Sequence, residues 1–462
     1  MKLFSKLTMV FGLLALAACD SNDTPAPAAP QPQPDPPALV KAQVLHGSPD
    51  APAVNVLIDG TTIWTGVDYK DASPIVEITE GIHSIQVDAI LPNNTTATVF
   101  GPADVDFAVD TITMISAVGP VAIPLDVSVE TKADVAPAAG SARLFVLHAT
   151  SGPMGSLPVD VYVDAYSEPN AVLGSSMPFT FDFKGTLGPL ELAAGDYQIR
   201  VALEGTLDPV YDSGSVTLGD GDDLTLVAVP NVSGGPAAVT LLALGGAGSA
   251  DLLDVNTPTG LRVGHLSPDT DPVDIVVDGG VYVDDAPYPA VTDVDLLPAD
   301  TYAVSITTAD GGAIAFGPAD LDLAAGTLYT VLATDFNANL TVDILSDDPR
   351  PVALYAKVRI YHASPSAQDV DIYVMAEGGD INVEMPTLTA VPFGANTGYI
   401  PLDAGTYDVA VAPTGTKNAV IAETIMVEAG GAYTAIARDD PDTAGFALIV
   451  VADSLAAPAE DT

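Results

Sequence analysis

The phrase HGSPDAPAVNVLIDG at 46–60 is written again as HLSPDTDPVDIVVDG at 265–279 and as HASPSAQDVDIYVMA at 362–376. A longer copy, HATSGPMGSLPVDVYVDA, stands at 148–165. His46, His148, His265 and His362 open the four copies, and the chain has five histidines in all. The intervals between them are each about a hundred residues, which is the length of a domain and too long for a solenoid unit. The second half of each phrase alternates. Val273, Ile275 and Val277 face one way and Asp274, Val276 and Asp278 the other, and Val54/Val56/Ile58, Val159/Val161/Val163 and Val370/Ile372/Val374 repeat the pattern. Period two with β-branched residues predicts a half-buried strand. The first half breaks that period. Pro49, Pro268 and Pro365 fix φ and extend the residue before them, and Ser48, Ser267 and Ser364 are placed to bond nearby backbone in a turn. The phrase therefore reads as strand end, ordered turn, strand.

Further apolar stretches recur behind each phrase. EGIHSIQV (80–87), AAGDYQIRV (193–201), PADTYAVSI (298–306) and DAGTYDVAV (403–411) form one set. TITMISAVG (111–119), LTLVAVPN (224–231), TLYTVLATDF (327–336) and AYTAIARDD (432–440) form a second. VAIPLDVSV (121–129), AAVTLLAL (237–244), NLTVDILS (339–346) and FALIVVAD (446–453) close the units. About seven short strands per unit, punctuated by Gly and Pro and without a helical period, predict an all-β chain of four tandem immunoglobulin-like antiparallel β-sandwiches. The expected repeats are 39–135, 140–248, 258–349 and 354–456. FGPADVDF (100–107) and FGPADLDL (316–323) link repeats 1 and 3. MPF (177–179) with VPF (391–393), and a Gly-Thr turn at 205–206 and 415–416, link repeats 2 and 4. The order reads A-B-A-B, as after duplication of a two-domain unit.

The His-x-Ser-Pro-Asp-x-x-x-Val-Asp-Val-x-Val-Asp-Gly pattern resembles the bacterial family called domain of unknown function 4397. The resemblance covers nearly all of the chain after about residue 40. It implies extracytoplasmic β-sandwich domains, often in tandem and often on lipoproteins, and it implies no activity.

The N-terminus agrees with that location. Residues 1–19 read as a secretion signal, with Lys2 and Lys6 before an apolar run from Leu7 to Leu16 that is too short to span a bilayer. The run ends in Leu-Ala-Ala-Cys, so Cys19, the only cysteine, is the expected lipidation site and membrane tether. Residues 20–38, rich in Pro and Ala, read as an extended linker. The expected location is the bacterial cell envelope, facing the periplasm or the cell surface.

The net charge is −47, and removing Lys2 and Lys6 with the signal makes it −49. This excludes a nucleic-acid binder, which needs a basic footprint. Acids spread over all four repeats read as a solvated coat, with weak divalent-cation binding as the sharper reading. Calcium takes six to eight oxygens. The candidates are Asp220, Asp222 and Asp223 in GDGDD, Asp104 with Asp106, and Asp320 with Asp322, since i and i+2 share a strand face. No cofactor is expected beyond such ions. The recurring histidines lack companion ligands for zinc and read as structural. The neighbouring serines lack a nucleophile elbow. Trp64, Tyr69, Tyr162, Tyr288 and Tyr373 either stack on sugars or pack. The expectation is a non-catalytic binding, adhesion or spacer module, a lipid-tethered rod meeting an envelope protein or a glycan. The alternative is an enzyme of unknown type with its site at an inter-domain cleft.

Overall fold

The computed structural model describes residues 36–121, 124–150, 158–167, 172–173, 176–309 and 312–453. The expected signal, Cys19 and most of the linker lie outside them. In repeat 1 the strands are β1 (Leu39–Gly47), β2 (Val54–Ile58), β3 (Thr61–Val67), β4 (Val76–Thr79), β5 (Gly81–Leu91), β6 (Thr95–Phe107), β7 (Thr111–Val118) and β8 (Val127–Ala133). They form two sheets, ordered β4-β1-β7-β8 and β3-β2-β5-β6, and the other three repeats use the same two orders. Alternate residues of both sheets point inward: Ala42 and Val44, Val54, Val56 and Ile58, Ile85 and Val87, and Ile115 meet in one buried core. The alternation read from the sequence is this inner face.

Four points differ from the sequence reading. The sandwiches are not purely antiparallel: β1 runs parallel to β7, Lys41–Gly47 against Ile112–Val118, and each later repeat has the same parallel pair. A chain that leaves one sheet at the Ser-Pro turn and returns to it several strands later is free to re-enter in either direction. Each repeat also pairs its first strand with an edge strand that hairpin periodicity does not show: Val76–Thr79, Thr186–Ala193, the pieces Ala290–Val291 and Asp295–Leu297, and Asn396–Leu402. The closing strand of repeat 1 is Val127–Ala133, displaced from the 121–129 stretch, because Pro120 and Pro124 lack the N–H a ladder needs. Repeat 2 does not end at 248: Gly248–Leu252 folds back on Val239–Gly245 as an extra edge strand.

The A-B-A-B order has local causes. In repeats 1 and 3 the second and third strands join through a two-residue Asp-Gly turn, Asp59-Gly60 and Asp278-Gly279, all four at positive φ. In repeats 2 and 4 the same connection is long, from Ala165 to Phe179 and from Ala376 to Leu388. The FGPAD phrase marks a bulge in the sixth strand. Gly101 and Gly317 sit at φ 78° and 84°, and a Cβ there would lie 2.2 Å from the Ile85 carbonyl oxygen and 2.5 Å from that of Val304. Only glycine fits.

The repeats do not string out as a rod. The outer faces of the β1/β7 sheets pack in pairs. Leu45, Met114 and Val118 of repeat 1 bury against Leu147, Val227, Val229, Leu242 and Leu244 of repeat 2. Leu266, Leu332 and Leu345 of repeat 3 bury against Tyr361, Ala363 and Ile436 of repeat 4. The connection between repeats 3 and 4 then returns to repeat 1. Arg350 Nη1 donates to the Ala51 carbonyl (2.9 Å), and the Ala353 N–H donates to that of Asp50 (2.8 Å).

Candidate functional site

The four histidines end the first strand of each repeat and are fully buried. His46 Nε2 lies 2.9 Å from the Pro52 carbonyl oxygen, His265 Nε2 3.4 Å from that of Thr270, and His362 Nε2 3.3 Å from that of Gln368. A carbonyl only accepts, so Nε2 carries the proton and the ring pins the Ser-Pro turn to the strand behind it. At His362 the other nitrogen, Nδ1, accepts the Ser364 N–H at 3.3 Å, as that tautomer requires. Burial lowers the pKa of His46, His265 and His362, so the rings are neutral at pH 7. Their backbones clip the far loop too: Lys70, Lys184 and Gly394 donate to the carbonyls of His46, His148 and His362. An aromatic ring packs against each imidazole: Tyr69, Phe183, Tyr288 and Phe393, at centroid distances of 6.0–6.4 Å. Phe393 therefore corresponds to Phe183, not to the Phe179 of MPF.

Two of the three motif serines are committed as well. Ser267 shares a hydrogen bond with Thr270, and Ser364 and Ser366 both donate to Asp439. Ser48 is buried. Pro49, Pro268 and Pro365 lie beside them in the same turns.

The Asp of the Val-Asp-Val run does not face water. Asp274 is 2% exposed, and its Oδ1 accepts the Asp285 N–H at 3.0 Å. Asn55 accepts from Gly66, and Asp371 from both Ala390 and Gly415. Gly66, Asp285 and Ala390 are left-handed positions where the third strand bulges, and a bulge frees one N–H from the ladder. The side chain takes up that donor. Asp160 and Asp371 also hold the N–H of Gly205 and Gly415, which gives the Gly-Thr turns of repeats 2 and 4 their place.

The calcium candidates divide. The GDGDD aspartates do not converge: Asp220 accepts from Gly140 N–H, Asp222 from Gly219 N–H, and Asp223 pairs with Arg143 (2.6 Å) and Lys132 (3.1 Å). A turn spends its carboxylates on its own backbone. Asp104 with Asp106, and Asp320 with Asp322, are exposed on one face of the sixth strand. Among the described residues no group of three or more His, Cys, Asp or Glu side chains is placed to hold a metal ion. Trp64, Tyr69, Tyr162 and Tyr373 are buried, and Tyr288 is half-buried, so these aromatics pack.

The densest polar cluster is one the sequence reading passed over. Arg262 of repeat 3 pairs with Asp453 of repeat 4 and, at 3.2 Å, with its own repeat's Asp347. Arg359 of repeat 4 reaches back to Asp347 at 2.6 Å. Thr330 donates to Asp347 and Thr434 to Asp453, each at 2.6 Å, and Tyr399 donates to Asp453 at 2.8 Å. All four charged side chains are at most 3% exposed. Arg262-Val-Gly-His and Arg359-Ile-Tyr-His share an Arg-x-x-His spacing that signals the cluster. Beside it a cleft of 420 Å³ opens between repeats 3 and 4, lined by Arg262, Thr292, Asp293 and Val451 among others. Its one cationic side chain is spent on the two aspartates. A second cleft, of 330 Å³, lies on the outer face of repeat 4 beside Met375, Asp380, Asp408 and Glu423.

No curated protein matches the chain. Among solved structures, the Bacillus anthracis TIE protein is similar at 13% identity and a TM-score of 0.15, over 87% of this chain and 68% of that one. Family 41 carbohydrate-binding modules from streptococcal virulence factors, described for alpha-glucan recognition, are similar at 14% identity and a TM-score of 0.16, over 42% of this chain and 97% of theirs. The family described as Domain of unknown function (DUF4397) matches residues 40–154, 259–373 and 356–462. These spans take in repeats 1, 3 and 4 with their histidine turns, and the chain belongs to that family.

Proposed function

We propose that the chain is a non-catalytic binding or spacer module of the bacterial cell envelope, tethered through lipid on Cys19. One observation carries the reading. Most of the recurring polar residues are held by the fold: His46, His265 and His362 bond their own turns, Ser267 and Ser364 bond Thr270 and Asp439, and Arg262 and Arg359 bond buried aspartates. A catalytic group needs a free face toward substrate, and these have none. The outer strand faces instead carry carboxylates such as Asp104, Asp106, Asp320 and Asp322, which take up divalent cations weakly and serve a protein or glycan partner. Membrane fractionation of native cells tests the tether: Cys19→Ser should release the protein or block its processing, and unchanged fractionation with an unlipidated N-terminus overturns it. Calcium titration tests the coat. The melting temperature should climb gradually, and saturation at micromolar ion would replace the coat with a specific site. Turnover of an envelope substrate, abolished by one side-chain change, would establish the enzymatic alternative.

A further inference from the structure

Tyr69 and Tyr288 follow their histidines at the same interval and do the same thing. Tyr69 donates its hydroxyl to the Pro230 carbonyl of repeat 2, and Tyr288 donates to the Asp439 carbonyl of repeat 4, both at 2.5 Å. These two acceptors occupy one structural position, because Ala228 pairs with His148 as Ala437 pairs with His362. Each tyrosine ring also carries a guanidinium. Over Tyr288 it is Arg438, 5.6 Å from the ring centroid and one residue before the acceptor. At the corresponding place repeat 2 has Val229, which is buried and apolar. The cation over Tyr69 comes from elsewhere: Arg350, in the connection between repeats 3 and 4, stands 5.7 Å from the centroid. Arg350 is 7% exposed, donates to the Ala51 carbonyl at 2.9 Å and pairs with Asp68 at 2.7 Å.

We infer that Arg350 is a clasp that closes the repeat 1/2 pair onto the repeat 3/4 pair, filling in trans the cation position that repeat 2 leaves vacant. The same segment adds Leu354 to the edge of the repeat 1 core and the Ala353 N–H to the Asp50 carbonyl. Nearby, the Asn396–Leu402 strand of repeat 4 lies against the turn at Pro92–Asn94 of repeat 1. Long-range repulsion works against this closure, since the net charge is −47 and the acids are spread over both pairs. A desolvated arginine with a ring, a carbonyl and a carboxylate around it is the directional attraction that holds it. Without Arg350 each pair keeps its own seam and the two pairs separate about the 348–355 segment.

Double electron–electron resonance tests this on the full chain carrying Cys19→Ser, with spin labels at Ile82→Cys in repeat 1 and Met426→Cys in repeat 4, which are 71% and 68% exposed. The parent should give one narrow distance distribution. Arg350→Ala should lose that peak to a longer, broad distribution while the thermal unfolding of the repeats is kept. Arg350→Lys keeps the charge but lacks the planar fork, and Asp68→Asn removes one of its partners, so both should shift part of the population. A folded Arg350→Ala protein with an unchanged narrow peak overturns the clasp. If that variant does not fold, unchanged distributions in both Arg350→Lys and Asp68→Asn overturn it.

Discussion

The seam between repeats 1 and 2 and the seam between repeats 3 and 4 use the same strands and differ in chemistry. Two outward positions on the first strand set the difference. Three residues before the histidine stand Gln43 and Phe145 in the first pair, and Arg262 and Arg359 in the second. One residue before it stand Leu45 and Leu147, against Gly264 and Tyr361. The first seam is a continuous apolar layer, with Gln43 reaching across to the Gly245 carbonyl at 2.8 Å and Arg143 and Lys132 meeting Asp223 at its margin. Such a layer is adhesive and non-directional. The second seam places two guanidiniums and two carboxylates out of water, each arginine reaching the aspartate of the other repeat. Desolvation offsets most of the Coulomb gain, so this lattice adds little net strength. It is directional, because the reciprocal bonds close at one crossing geometry only. The two pairs share one architecture: the first buries an apolar layer edged by exposed ion pairs, Lys70 with Asp251 and Lys184 with Asp126, and the second is crossed by a buried charge lattice.

The largest effect is expected where two buried guanidiniums share one remaining carboxylate. Asp347→Ala takes the close carboxylate from Arg359, leaving it Asp453 at 3.9 Å, and one partner from Arg262, and it should cost about 3–5 kcal/mol, measured by denaturant unfolding, with repeats 3 and 4 losing protection first in hydrogen exchange. Leu242→Ala, fully buried in the apolar seam, should cost about 2–5 kcal/mol through the cavity it leaves. Replacing Arg262, Arg359, Asp347 and Asp453 together by apolar residues sharpens the contrast. Stability should be unchanged or should rise by about 1–4 kcal/mol, while spin labels across the seam report a broadened orientation. If the orientation stays unique, the lattice does not specify it.

Much of this was legible in the sequence, for physical reasons. Period-two runs of β-branched residues report which face is buried, so the inner faces, the four repeats and the long β5-type strands follow from the letters. The histidine turns were legible as turns because Ser-Pro breaks the period-two run in three of the four copies. The rest depended on neighbours that the sequence order hides. Asp274 alternates as a solvent residue does, yet a bulge on the next strand turns an N–H toward it. Asp220, Asp222 and Asp223 stand together in the sequence and point at three different partners. Arg262 and Arg359 look like surface charges until two sheets are laid face to face, although their shared spacing to the histidine was on view. The Asp-x-Asp pairs on the sixth strand lie on one outer face, as period two requires.

Acid should weaken both pairs through the histidine turns. Burial lowers the folded pKa of His46, His265 and His362 from 6.5, so below that pH the unfolded chain binds protons the folded chain does not. Their stabilisation is fully present above about pH 6.5 and is lost as the pH falls through it toward the folded values, by about 1.4 kcal/mol per pH unit for each histidine in that window. His83 runs the other way: its hydrogen bond to Asp59 raises its pKa, so its contribution is full below 6.5 and fades as the pH rises through the raised value. It sits at the surface and its effect is small. Melting temperatures measured from pH 7.5 down to 5 should fall. A flat profile would show that the imidazoles are not buried neutral.

The smallest effect separates the seams most finely. Tyr69 and Tyr288 make the same bond across their seams, to the Pro230 and Asp439 carbonyls. Tyr69→Phe and Tyr288→Phe each remove one hydroxyl and leave the ring under its guanidinium, so each should cost about 0.5–1.5 kcal/mol in denaturant unfolding. In the first seam no buried charge lattice fixes the crossing angle; its polar contacts, Gln43 to Gly245, Lys70 to Asp251 and Lys184 to Asp126, edge the apolar layer, and the tyrosine bond is a further directional contact beside them. Its loss should therefore loosen orientation as well as stability there, seen as a broader label-to-label distance between repeats 1 and 2. In the second seam Arg262 and Arg359 keep the geometry after Tyr288→Phe, so the distance between repeats 3 and 4 should stay sharp while stability falls by the same amount. Equal broadening in both seams would mean that orientation is set by the tyrosines, and the buried ion lattice would then be a consequence of the crossing angle and not its cause.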